Sequence, residues 1–121
     1  MRILLVEDDP MNVELFVSAL ETDHHEVVIE LDGVAGERRA SEPFDLILLD
    51  IQLPQKSGLE VCRSLRARGV RIPIVALSAS VLPEEVARTT AAGFDVFLSK
   101  PISPRDLRAA VRRLAAPRPA A

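Results

Sequence analysis

The chain has 121 residues, 48% of them hydrophobic, enough for one layered core and too few for two ordinary domains. Its formal charge of −3 and isoelectric point near 5.4 leave no basic field to draw in nucleic acid or an anionic membrane surface. Cys62 is the only cysteine and no apolar run reaches membrane-spanning length, which excludes an internal disulfide and a transmembrane helix. The opening residues run straight into an apolar strand, so no signal peptide is expected, and a reducing cytoplasm is the expected setting.

One domain is expected over residues 1–121, with 116–121 a short flexible tail. The first strand, 3–6, is a short apolar run ending in three acids, Glu7, Asp8 and Asp9. Asp9 followed by Pro10 reads as an N-cap and first helical position, opening a helix to residue 21 with Asn12, Leu15, Phe16 and Ala19 on its inner face. A weaker strand at 27–29 closes at Asp32 and Gly33, and a short helix, 34–41, leads to the unbroken apolar run Leu46-Ile47-Leu48-Leu49. Such a run fits a strand covered on both faces. Asp50 stands at its carboxyl end, and Pro54 and Gly58 shape the loop that follows. Ser57 and Glu60 read as a capping box for a helix to residue 67.

The fourth strand, 73–77, ends in Ser78-Ala79-Ser80, and a helix over 83–92 stops at Gly93. A fifth strand at 95–98 ends in Ser99-Lys100-Pro101, and Ser103 caps a last helix to residue 115. Strands alternating with helices predict an α/β fold with a parallel sheet, right-handed crossovers and helices on both faces. The expected class is a doubly wound, flavodoxin-like (βα)5 domain with strand order 2-1-3-4-5.

In that order the first and third strands are neighbours, so Glu7, Asp8 and Asp50 converge outside the carboxyl ends of the strands, where such sheets hold their ligands. Three carboxylates that close repel one another unless a cation neutralises them, which makes the cluster a candidate Mg²⁺ site. The expected ligands are Asp8, Asp50 and the backbone carbonyl of Gln52, with Glu7 acting through water. Lys100 approaches from the fifth strand with a point charge suited to phosphate, and Ser78 offers a hydroxyl. Such a site would let Asp50 act as nucleophile toward a phosphoryl group.

These motifs, Glu7-Asp8, then Asp50 with Pro54 and Gly58, then Ser78-Ala79, then Lys100-Pro101, resemble those of response-regulator receiver domains of the CheY-like superfamily, in order and over residues 2–114. The likeness is greatest to stand-alone receivers of the DivK type and to receivers of hybrid histidine kinases. It implies that Asp50 is the phospho-acceptor, that Asp8 and Glu7 serve Mg²⁺, that Ser78 and Lys100 read the phosphoryl group, and that Lys100-Pro101 is a cis peptide. Phe97 stands where many receivers carry a tyrosine that turns inward on activation, so a switch through Ser78 and Phe97 would rest on burying an exposed ring. Gln52 and Ser80 occupy the positions that set phosphate lifetime in receivers.

The expected function is a single-domain response regulator of a phosphorelay. It would be phosphorylated by a histidine kinase or phosphotransfer protein and signal to a downstream protein, with no separate substrate turnover. Docking is expected on the first helix, through Met11, and on the loop at 100–103. A receiver cut from a hybrid kinase and an unphosphorylated binding receiver are the alternatives. A flavin-binding protein is disfavoured by the absence of a Ser-, Thr- or Gly-rich loop after the first strand. A haloacid-dehalogenase-type phosphatase would need an acid where Gln52 stands. His24 and His25 read as solvated, Cys62 as packing, and Arg112 and Arg113 as partners of the helix dipole.

Overall fold

The structure, a computed structural model, describes residues 1–115; the expected tail lies outside the described residues. Strands and helices alternate strictly: β1 (Arg2–Val6), α1 (Pro10–Thr22), β2 (Glu26–Glu30), α2 (Gly33–Arg39), β3 (Leu46–Asp50), α3 (Gly58–Ala67), β4 (Ile74–Ser78), α4 (Pro83–Ala92), β5 (Val96–Ser99) and α5 (Pro104–Ala115). Every strand pairing is parallel and the sheet runs β2-β1-β3-β4-β5. The fold is the flavodoxin-like one expected.

The central strands are apolar throughout because helices cover both faces, and alternation along each strand splits their side chains between two cores. Ile3, Leu5, Leu48 and Val75 pack with Phe16 and Leu20 of α1 and Leu107 and Val111 of α5. Leu4, Val6, Leu49 and Ala76 pack on the other side with Val61, Cys62 and Leu65 of α3 and with Phe94. Cys62 is fully buried with its thiol donating to the Ala92 carbonyl at 3.4 Å, and burial pushes the thiol up to about 11. It is a packing residue.

Caps set the helix starts. Asp9 accepts from the Met11 amide at 2.9 Å, Asp32 from Ala35 at 2.8 Å, Ser57 from Glu60 at 3.3 Å and Ser103 from Asp106 at 3.0 Å. Helix α4 has Leu82 at its cap without a side-chain bond, and relies on Pro83 with Glu84 and Glu85 in its first turn. No helix among the described residues is long and apolar enough to cross a membrane.

Four details depart from expectation. On α1 the buried face is Phe16, Ala19 and Leu20, while Leu15 is 42% exposed; Leu15 lies one helical step, about 100°, from Phe16 and so points off the i, i+3, i+4 stripe. Helix α2 begins at Gly33 and ends at Arg39, because Asp32 serves as its cap. Arg112 does not answer only to its own helix dipole: it joins Arg108 on Asp23, the residue closing α1. His25 is half-buried with its Nδ1 3.1 Å from the chain's amino group, so only His24 is solvated.

Candidate functional site

The site is assembled by strand register. Strands β1 and β3 pair from Ile3 with Leu46 to Val6 with Leu49, so the next step brings Glu7 alongside Asp50. Glu7 is completely buried and Asp50 nearly so, while Asp8 is exposed. Carboxylate oxygens of Glu7, Asp8 and Asp50 all lie within 4.8 Å of one another. From β5, Lys100 Nζ donates to Asp50 Oδ2 at 2.8 Å and stands 2.7 Å from Glu7 Oε1. Asp50 Oδ1 accepts from the Gln52 amide at 2.9 Å, and Glu7 Oε2 from the Asp9 amide at 3.2 Å.

Charge in this cluster is unbalanced. Burial pushes the Glu7 carboxyl above its ordinary value, and neighbouring Asp50 adds to that, although Lys100 pulls the other way. Burial also works against the charge on Lys100, but its hydrogen bonds with Asp50 and Glu7 outweigh that and raise it. Glu7 Oε1 is buried and has no partner besides the Lys100 ammonium, 2.7 Å away and shared with Asp50. A buried carboxylate oxygen answered only by a shared ammonium is costly, and a further cation would relieve it.

The donor set fits Mg²⁺, which prefers oxygen ligands and needs only one or two carboxylates. The Gln52 carbonyl accepts no hydrogen bond among the described residues. Glu7, expected to act through water, is the most deeply buried of the acids and the one with an oxygen to spare.

Two further strand ends frame the acids. Ser78 is buried, pairs in register with Ser99, and accepts from the Ser80 amide at 3.1 Å. Its own hydroxyl proton has no acceptor among the described residues. Ser80 in turn accepts from the Leu82 amide at 3.3 Å, a turn-forming bond that sequence reasoning missed. The Lys100-Pro101 peptide is cis. Beneath Asp50, Gly58 packs so closely that a Cβ there would stand 2.1 Å from the Asp50 carbonyl oxygen, which is why glycine opens α3.

Phe97 corrects the expectation of an exposed ring. It is half-buried, opposite Ala76 and against the core on the α3 side. Ala76 and Ser78 share that face by alternation. At the rim, Met11 is 80% exposed and Leu15, four residues on, shares its side of α1. In the loop at 100–103, Pro101 and Ser103 are exposed but Ile102 is buried in the α1 and α5 core.

The family profile described as response regulator receiver domain matches residues 3–112. The chain is 40% identical over 111 residues to the two-component response regulator ORR41 of rice, Oryza sativa subsp. japonica, covering 88% of this chain and 87% of that protein. It is also 40% identical over 116 residues to the sensor histidine kinase AruS of Pseudomonas aeruginosa, covering 92% of this chain but 12% of that protein. The chain spans half or less of the length of most curated relatives it matches, 18% of the first and 48% of the second. Among solved structures it is similar to the receiver domain of another P. aeruginosa sensor histidine kinase, with TM-score 0.86, 33% identity, and coverage of 95% of this chain and 98% of that one. That structure has a magnesium ion coordinated in its active-site cleft.

Proposed function

Because this chain belongs to the response regulator receiver domain family of two-component systems, we propose that its Asp50 accepts a phosphoryl group from a phosphohistidine of a kinase or phosphotransfer protein. The observation that carries the reading is the unbalanced cluster: three carboxylates answered by one ammonium, at the carboxyl end of a central strand.

An Asp50 oxygen attacks phosphorus and the P–N bond to the donor imidazole breaks; the departing nitrogen keeps the electron pair, and the histidine leaves neutral because its other ring nitrogen carries a proton. Lys100, now paired with the carboxylate, transfers its interaction to a phosphoryl oxygen, and the Ser78 hydroxyl donates to another. Asp8, Asp50 and the Gln52 carbonyl would hold Mg²⁺, with Glu7 beside them through water or by its Oε1. Bound there, the ion supplies neutralising charge for the transferred group. Gln52 and Ser80 flank the path of hydrolytic water and set the phosphate lifetime. The Ser78 hydroxyl and the Phe97 ring share one face of the sheet and form the switch. Since the ring starts half-buried, its movement contributes only part of the about 1.5–3 kcal/mol that burying an exposed phenylalanine is worth.

The chain then signals by contact with a downstream protein or by onward phosphotransfer, without turning over a separate substrate, and its cytoplasmic setting is part of the same proposal. A relay internal to a hybrid kinase is the second arrangement, supported by the match to a small part of AruS. The test is labelling by acetyl phosphate with Mg²⁺, mapped by mass spectrometry. One phosphoryl group on Asp50, absent from Asp50→Asn, is expected; a label on another residue of the native chain overturns the assignment.

A further inference from the structure

The loop at 51–58 carries the Gln52 carbonyl and must keep one shape while Asp50 reacts. Its own bonds, Lys56 amide to Pro54 carbonyl at 2.8 Å and Gly58 amide to Ile51 carbonyl at 2.9 Å, do not anchor it to the rest of the molecule. Gln55 within it takes a left-handed φ of 72°, a conformation that a non-glycine residue keeps only where its surroundings hold it. Ile51 and Leu53 at its start are held by the core, with the Ile51 amide donating to the Leu77 carbonyl at 3.0 Å; farther along, the anchor comes from α2. The Gly33 amide donates to the Pro54 carbonyl at 3.1 Å, and the Lys56 carbonyl packs on Gly33 so tightly that a Cβ there would stand 1.8 Å from it.

Above that contact the Lys56 side chain folds back into the protein. Its Nζ donates to Glu37 Oε1 at 2.5 Å and to Ser64 Oγ at 3.1 Å, and the Glu37 side chain is only 13% exposed. Burial would raise the Glu37 carboxyl, yet Lys56, aided by Arg68, holds it below its ordinary value. Arg68, capping α3, meets the same carboxylate and makes no hydrogen bond or ion pair to the loop among the described residues. Glu37 therefore makes two ion pairs, of which only one reaches the segment after Asp50.

We infer that Lys56 and Glu37 are positioning residues, a clasp between α2 and the loop at 51–58 that fixes the Gln52 carbonyl toward the acid cluster; the inference rests on the Mg²⁺ reading above. The neighbouring Arg68 pair supplies the control, since it joins α2 to α3 without the loop. The experiment follows amide hydrogen exchange at Lys56 and Gly58 in metal-free protein, and Mg²⁺ affinity by NMR titration. Lys56→Met and Glu37→Gln are each expected to speed exchange at both amides and to weaken Mg²⁺ binding about tenfold, the low end for partners that orient metal ligands. The double variant should be no worse than either single one. Arg68→Met should lower Tm and leave exchange and affinity at native values. The clasp is overturned if Lys56→Met leaves loop exchange unchanged, or if Arg68→Met moves both readouts as far. Native protein that takes up no Mg²⁺ overturns the metal reading alone, and the exchange comparison then decides the clasp.

Discussion

At the amino-terminal end of the sheet, Asp23 is gripped by Arg108 through bonds of 2.7 and 3.2 Å and by Arg112 at 3.1 Å, whereas at the carboxyl end Glu7, Asp8 and Asp50 share the one ammonium of Lys100. The same residue types give opposite electrostatics. The Arg108 guanidinium, seconded by Arg112, holds the Asp23 carboxyl far below the usual carboxylate range. Burial lifts Glu7 above it. Where cations outnumber an acid, the acid is a strut tying α1 to α5; where acids outnumber the cation, the surplus negative charge suits a divalent ion, which would in turn neutralise an incoming phosphoryl group.

The sharpest way to break this contrast is to remove Lys100, the one cation paired with these acids among the described residues. Lys100→Met leaves Glu7 and Asp50 buried and unpaired, and should destabilise the metal-free protein by about 3 kcal/mol or more. Mg²⁺ should restore much of that loss, measured by urea unfolding. A loss that Mg²⁺ does not reduce would show that the cluster takes no divalent ion. Next in size is Gly58→Ala, which drives a methyl into the Asp50 carbonyl and should cost about 1–3 kcal/mol, the usual range for overpacking. The same variant should slow acetyl phosphate labelling, and full labelling at native rate would mean the Asp50 backbone tolerates displacement.

At the other end, Asp23→Asn should lower Tm at neutral pH and leave labelling untouched. Because the folded-state pKa of Asp23 is depressed, its contribution is fully present above its unfolded value near 4 and fades as pH falls below that. The Tm gap between native and variant should therefore close in acid, and a gap that persists at the lowest pH would point to packing rather than charge. Glu7 runs the opposite way: its raised folded-state pKa makes ionisation costly to the metal-free fold as pH climbs through the ordinary carboxylate range. The smallest effect on the fold belongs to Met11→Glu, exposed on α1. Stability and acetyl phosphate labelling should hold while transfer from a phosphohistidine protein slows, as stopped transfer reactions on gels would record.

The fold was legible because the apolar runs at 46–49 and 74–77 have the length and continuity of doubly covered strands, and because Asp9, Ser57 and Ser103 announce their helices locally. The membership of the acid cluster was legible for the same reason, since each acid ends a strand. What escaped was everything set by distant packing. Leu15, expected on the inner face, is exposed while Leu20 is buried, because periodicity in so apolar a segment leaves the rotation of the helix against the sheet undetermined. Phe97 lies deeper than a short edge strand suggests because Ala76 beside it is small. The pairs from Asp23 to Arg108 and from Lys56 to Glu37 join residues 85 and 19 positions apart, and no local motif marks either.

The central claim, that surplus carboxylates at one end of the sheet hold a divalent ion while the balanced acid at the other does not, is tested most directly by the Tm gain on adding Mg²⁺ at neutral pH. Native protein and Asp23→Asn should gain equally, and Asp8→Asn should gain little. No gain in the native chain, or an undiminished gain in Asp8→Asn, would contradict it.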